Sequence, residues 1–209
     1  MILYHCRDTR SLRALWALEE CGVPYELVKM PFPPRYGHDG YLDINPLGTV
    51  PALNTGGYLM TESAAICHYV ADMSDRPELR VDKGEAAHAE YLNWLHRSDA
   101  TFTFPQTLVL RYSRLEKPER RLLQVVADYT TWFQKRMAVV EDTLGRADYL
   151  CAGRFTMADI CVGYAVYLAE KLGISSGLGP RTHDYLRRLT IRPAFQGALS
   201  LQADMDPVL

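Results

Sequence analysis

Asn45-Pro46-Leu47-Gly48-Thr49-Val50-Pro51-Ala52-Leu53, followed by Thr61-Glu62-Ser63-Ala64-Ala65-Ile66, decides how this chain folds. Val50-Pro51 falls in a run that otherwise reads as strand, where a proline loses a ladder donor. Glu62-Ser63 then opens an apolar helical run, which puts a carboxylate and a hydroxyl at a helix N-terminus. That end carries N–H groups without intrahelical partners and the positive end of the dipole, and so favours an anion. A strand-breaking proline beside such a helix start fits a short, charged, peptide-like ligand.

Outward from this stretch, residues 2–5 are apolar enough for an opening strand. Leu12, Leu15 and Trp16 then share a helical face, and Gly22 suits the left-handed residue after a helix. Tyr25-Glu26-Leu27-Val28 alternates as a strand does. Residues 31–43 hold three prolines and two glycines and read as loop with a short turn of helix. Ala52-Leu53 and Tyr58-Leu59-Met60 flank Asn54-Thr55-Gly56-Gly57, a hairpin signal. Residues 63–72 form a helix. The order is β-α-β, loop, β-β-α. A polar, proline-containing stretch over 73–83 separates this from a helical remainder. There Leu122, Val126, Tyr129, Phe133, Met137, Val140 and Leu144 recur every three or four residues and mark one face of a long helix. Gly145 can end that helix, Gly173 the next, and Pro193 suits a first helical turn. Thr156-Met157-Ala158-Asp159 is a capping box, with Phe155 and Ile160 placed as a hydrophobic staple.

The 209 residues suffice for one large domain or two small ones with a buried core. The net charge is -2, and neither the first 75 residues nor the rest has the basic excess that a phosphate backbone requires, so no nucleic-acid partner is expected. No apolar run approaches ~18 residues, so no membrane span is expected. The start, Met-Ile-Leu-Tyr-His-Cys-Arg, shows no secretory leader. Cys6, Cys21, Cys67, Cys151 and Cys161 are scattered, odd in number and without a C-x-x-C pair. Neither a disulfide framework nor a zinc site is expected, and the cytoplasm is the fitting compartment.

N-P-x-G-x-V-P-A-L followed by x-E-S-x-A-I resembles the glutathione-binding half of the cytosolic glutathione transferases. The resemblance continues in Ser11-Leu12-Arg13-Ala14-Leu15-Trp16-Ala17-Leu18-Glu19-Glu20 and in Phe155-Thr156-Met157-Ala158-Asp159-Ile160, and so covers nearly the whole chain. It implies an α+β fold: a thioredoxin-like domain over 1–75, a linker over 76–84 and an all-helical bundle over 85–209. It implies glutathione as co-substrate, a hydrophobic electrophile held by the helical domain, a homodimer and no metal.

For the site, the resemblance implies that the backbone of Val50, ahead of a cis Pro51, pairs with the cysteinyl residue of glutathione as a short added strand. Ser63 would meet the γ-glutamyl carboxylate and Glu62 the ammonium. The alternative for both is an ordinary helix start. His38 and Thr49, or Arg35, would reach the glycyl carboxylate, and Asp99 would serve a neighbouring subunit. The sulfur needs a hydroxyl or thiol from the loop after the first strand. In serine-type relatives such as the theta class, that group lies four residues before the arginine of the first helix. Counted from Arg13, the position is Thr9. Ser11 is the alternative, unless it caps the helix. Tyr4 reads as core, Cys6 as a buried thiol at the strand end, and Arg10 as positive potential or a solvated charge. Two other activities stay open beside transfer: a glutathione-dependent peroxidase or disulfide reductase, and a non-catalytic glutathione-binding member of the same fold.

Overall fold

A computed structural model of the chain describes residues 1–208. Its strands are β1 (Ile2–His5), β2 (Glu26–Lys29), β3 (Ala52–Asn54) and β4 (Leu59–Met60), joined in one sheet of order β2-β1-β3-β4. β1 is bonded on both sides. It runs parallel to β2, with Leu3 opposite Leu27, and antiparallel to β3, with Leu3 opposite Leu53. Parallel neighbours need a crossover, here helix α1 (Ser11–Cys21), which stops at Gly22 with φ 63°. The expected single turn of helix in the loop is two: α2 (Pro34–Gly37) and α3 (Tyr41–Ile44). The β3–β4 hairpin leads into α4 (Ser63–Asp72), which covers the same face as α1. This is the thioredoxin-like arrangement.

The rest is helical: α5 (His88–Arg97), a π-helical stretch Ser98–Thr103, α6 (Phe104–Leu110), α7 (Leu123–Leu144), α8 (Met157–Leu172), α9 (Pro180–Thr190) and α10 (Pro193–Leu201). Helix α8 is the core element, with 14 of its 16 residues buried. The stripe foreseen on α7 is buried at Phe133, Met137, Val140 and Leu144, half-buried at Val126 and Tyr129, and exposed at Leu122. Near its start α7 exposes Leu123 and Trp132. Among the described residues, no helix is long and apolar enough to cross a membrane.

The chain divides into two compact units, Val81–Arg188 and a second made of Met1–Arg80 with everything from Leu189 on. This differs from a helical domain expected to run over 85–209. The last helix, α10, lies on α1: the Phe195 ring stands edge-on to Trp16 at 4.8 Å, a contact that adds about 1 kcal/mol to the burial of both rings. The Arg192 guanidinium donates two bonds to Glu20, at 2.6 and 2.9 Å, and Trp16 Nε1 donates to the same carboxylate at 3.0 Å. The linker carries one 3-10 turn, Pro77–Leu79, and Leu79 and Val81 are buried.

Helix α8 starts on the capping box. The Thr156 N–H donates to Asp159 Oδ2 at 2.8 Å, and the Ala158 N–H donates to Thr156 Oγ1 at 3.3 Å. Asp159 does more than cap. Its Oδ1 accepts from the Leu150 N–H at 3.0 Å and the Tyr185 hydroxyl at 2.9 Å. Burial pushes its carboxyl up to about 6, against the pull of these donors, so it is ionised at neutral pH. Asp159→Ala removes the acceptor of four buried donors, the Leu150 and Thr156 N–H groups and the Thr156 and Tyr185 hydroxyls, and is expected to lower the unfolding free energy by roughly 3–5 kcal/mol in denaturant titrations. Asp159→Asn keeps one acceptor oxygen and is expected to lose less; equal losses would show that the carboxylate is not what holds these donors.

Candidate active site

Pairing in the sheet gathers the site. Tyr4 stands opposite Ala52, so the loop leaving β1 and the loop entering β3 emerge at one end of the sheet. The entering loop is held from behind. The Thr49 carbonyl accepts from the Tyr41 hydroxyl at 2.6 Å and from Asn45 Nδ2 at 2.8 Å, while Asn45 Oδ1 accepts from the Leu47 N–H at 3.1 Å. Gly48 has φ 60°, and a Cβ there would meet Arg35 and Leu42 at 3.1 Å. The Asn and Gly of the motif therefore shape the turn that presents Val50. The Val50–Pro51 peptide bond is cis, as is Phe32–Pro33. Val50 packs beside the buried cluster of Cys6, Met30, Tyr41 and Ala52.

Helix α4 begins beside the same loops. Glu62 occupies its cap position with an exposed carboxylate that makes no capping bond. Ser63 is buried, and its Oγ accepts from Arg13 Nη1 at 3.0 Å. Arg13 is fully buried in the first turn of α1. It brings a permanent positive charge to the N-terminal end of α4. In the sequence Arg13 stands inside the Ser11–Glu20 motif, as the mark from which Thr9 is counted. An arginine among Leu12, Ala14 and Leu15, all on a buried helix, was the signal for a structural partner.

The loop from His5 to Ser11 is more tightly wired than its sequence suggests. Ser11 was expected to be either a ligand contact or a helix cap. Arg10, not Ser11, holds the cap position, and Ser11 is fully buried. Its hydroxyl sits 2.7 Å from His5 Nδ1 and 2.8 Å from Thr9 Oγ1, and accepts from the Cys6 N–H at 3.2 Å. Thr9 is half-buried, and its hydroxyl donates to the Cys6 carbonyl at 2.8 Å. Cys6 is buried, and burial pushes its thiol up to about 12, which fits the inert strand-end thiol. Tyr4 packs beside Tyr41, ring centroids 5.8 Å apart.

Three residues that the sequence did not single out complete the loop. Asp8 is buried with φ 57°, a left-handed conformation that Asp tolerates better than most residues. Its N–H donates to Gln202 Oε1 at 3.1 Å, and its carboxylate accepts from Gln202 Nε2 at 2.8 Å. Gln202 Oε1 also lies 3.1 Å from His5 Nε2. Arg7 Nη1 donates to the Met205 carbonyl at 2.6 Å. No periodicity joins positions 8 and 202.

The remaining candidates are more dispersed. The His38 ring stands edge-on to Tyr41, centroids 6.2 Å apart, and the Tyr41 hydroxyl donates to the Thr49 carbonyl. Thr49 is exposed, and Arg35 lies over the Tyr36 ring at 5.1 Å. Asp99 belongs to the other compact unit, half-buried on the π-helical stretch Ser98–Thr103.

Burial lowers the His5 imidazole from its usual 6.5 to about 4, against the pull of its Gln202 bond and of Asp8. The unfolded chain takes up this proton near 6.5 and the native one only near 4. Between those values the unfolded state binds more protons, so stability rises with pH across the window and is complete above it. Acidification from neutral pH to about 4 is expected to cost wild type about 3 kcal/mol more than His5→Gln. Asp159 titrates over part of the same window with the opposite sign and cancels in that comparison. Parallel pH profiles for the two proteins would show that His5 is not held neutral.

The glutathione S-transferase N-terminal domain family model matches residues 9–73. The chain is 30% identical to glutathione S-transferase 1 of Zea mays over 153 residues, 71% of this chain and 70% of that one. It is 26% identical to glutathione S-transferase GstA of Escherichia coli O157:H7 over 205 residues, 97% of this chain and 98% of that one. A sphingomonad glutathione S-transferase, solved in complex with glutathione, shares its fold with a TM-score of 0.86 at 24% identity, over 98% of this chain and 100% of that one. With the matched domain, the relatives and the shared fold together, this chain belongs to the glutathione S-transferase family.

Proposed function

We propose that this protein is a cytoplasmic glutathione transferase that directs the glutathione thiolate at a hydrophobic electrophile, as in detoxification. The observation that carries the reading is the Arg13–Ser63 bond at the end of the sheet where Tyr4 faces Ala52. It sets an anion-favouring helix start beside the Val50–Pro51 loop and the loop after β1. In this reading the cysteinyl backbone pairs with Val50. The γ-glutamyl carboxylate meets Ser63, and Glu62, exposed and uninvolved in capping, meets the ammonium. His38 and Thr49 take the glycyl end. Related proteins support the class of ligand: the sphingomonad enzyme is described with glutathione.

Thr9 is the sulfur-contacting hydroxyl in this reading. Its support is its half-buried position, where Ser11 is fully buried and Cys6 holds its proton to about 12. A hydroxyl donor on the sulfur favours the thiolate, so catalysis consists of orientation and anion stabilisation. The buried Cys6 thiol also weighs against a disulfide reductase that uses an enzyme cysteine. We also infer a homodimer, supported by the exposed apolar side chains of Leu122, Leu123 and Trp132 around the start of α7. Asp99 then serves a neighbouring subunit.

Millimolar glutathione is expected to raise the thermal midpoint, since a ligand bound only by the native state stabilises it by mass action. Glu62→Ala is expected to abolish most of that shift. Thr9→Ala is expected to keep the shift and lose turnover with a general electrophile by roughly 10- to 1,000-fold. Absence of any shift in wild type overturns the reading; a normal rate in Thr9→Ala returns the sulfur contact to another group. For the dimer, light scattering at micromolar concentration is expected to give twice the chain mass, and a monomer mass refutes it.

A further inference from the structure

Gln202 lies just past the end of α10, is 2% exposed, and spends its whole amide on the loop after β1. Its orientation is keyed twice. The Asp8 carboxylate can only accept, so the atom 2.8 Å from it is the amide nitrogen. The Asp8 backbone N–H can only donate, so the atom 3.1 Å from it is the amide oxygen. A flipped amide would set NH2 against N–H and oxygen against carboxylate. The oxygen is therefore also the atom facing His5 Nε2 at 3.1 Å, and Nε2 must carry the ring proton to meet it. A buried neutral imidazole with its proton on Nε2 has a bare Nδ1. That atom lies 2.7 Å from Ser11 Oγ, so the Ser11 hydroxyl donates to it.

Ser11 has one proton and two acceptors within reach, His5 Nδ1 at 2.7 Å and the Cys6 carbonyl at 3.2 Å; the bare ring nitrogen is the nearer and takes it. At Thr9 Oγ1, 2.8 Å away, Ser11 can only accept. One hydroxyl proton in the loop is left to redirect, that of Thr9, which at rest satisfies the Cys6 carbonyl or Ser11 Oγ. Turning it toward a ligand needs one bond rotation and no movement of heavy atoms.

We propose that Gln202 is a positioning residue: it pins Asp8 in its left-handed conformation, fixes His5 as the Nε2-protonated tautomer, and so commits Ser11 inward and reserves the Thr9 proton for the ligand sulfur. This rests on the reading of Thr9 given above, and extends it from the loop to the end of the chain.

Two measurements test the step without depending on Thr9. In ligand-free wild type, the nitrogen chemical shifts of His5 are expected to be those of the Nε2-protonated ring; an Nδ1-protonated ring overturns the proposal outright, and no variant is needed. In Gln202→Met, which keeps the length of the side chain and removes its amide, His5 is expected to lose that single tautomer. The thiol of bound glutathione, followed by its thiolate absorbance, is then expected to titrate about one unit higher, and turnover to fall roughly 10-fold. Binding of S-methylglutathione, which has no thiol proton, is expected to stay unchanged and serves as the check that the variant is folded and its peptide-binding side intact. An unchanged thiol titration in Gln202→Met overturns the proposal even where Thr9→Ala raises it. If Thr9→Ala leaves the thiol titration unmoved while His5 behaves as expected, the reading of Thr9 has failed and the step built on it with it.

Discussion

A guanidinium keeps its proton even when it is buried, and Arg13, buried completely, directs Nη1 at the Ser63 hydroxyl. It projects from a helix whose neighbours Leu12, Ala14 and Leu15 are all inside, so α1 cannot rotate to expose it. Its bond to Ser63 fixes the first residue of α4 against the first turn of α1. Glu62, one residue earlier, is thereby placed outside, with its carboxylate in solvent at the positive end of the helix. The same helix, α1, is launched from β1, which the ladders to β2 and β3 hold on both sides. Two rigid anchors, one at each end of a short loop, leave residues 6–10 little freedom, and their polar groups must be satisfied where they stand.

That constraint explains why the loop looks so unlike its sequence. Ser11 precedes an apolar run and has the composition of a helix cap, yet its hydroxyl points back to the Cys6 N–H and to His5. Capping propensity describes what a serine does when water is the competitor. Here the competitor is a buried imidazole, and an unmade bond in the interior costs more than an uncapped helix end. The elements themselves were legible, because their signals are local: alternation in the strands, Gly22 and Gly173 in the left-handed position after their helices, and a complete box at Thr156 and Asp159. The Val50–Pro51 and Glu62–Ser63 pieces were legible for a different reason. Each sits in a motif where the fixed neighbours, Asn45 and Gly48 among them, have structural work that the turn requires.

What stayed hidden depends on contacts across the length of the chain. Gln202 meets His5 at a separation of 197 residues, and Arg192 meets Glu20 at 172. No window of sequence contains both partners, and glutamine at a helix end is common enough to signal nothing. The last helix shows the same limit: its pattern identifies a helix with one apolar face, and the residues which that face and its flank meet, Trp16 and Glu20, lie far back in the chain. The extent of the α7 stripe shows the converse. Periodicity reports which residues share a face, not how much of that face finds a neighbour, and Leu122 is exposed at the start of a stripe that Leu144 closes inside.

The identity of the sulfur-contacting group is then a question of proton count rather than of residue type. Two hydroxyls, one thiol and one imidazole lie within a single turn of chain, and by chemistry alone each of them can meet a thiolate. Burial removes the thiol and the imidazole, by raising one and lowering the other away from neutrality. With the His5 tautomer proposed above, geometry removes one hydroxyl as well, since a single proton cannot serve both His5 and a ligand. The hydroxyl that remains belongs to a β-branched residue, whose stiff side chain holds its oxygen in few positions. A threonine in that place loses adaptability and gains definition. In the proposed reading, the buried network behind it turns a loop with several possible donors into one with a single direction of donation.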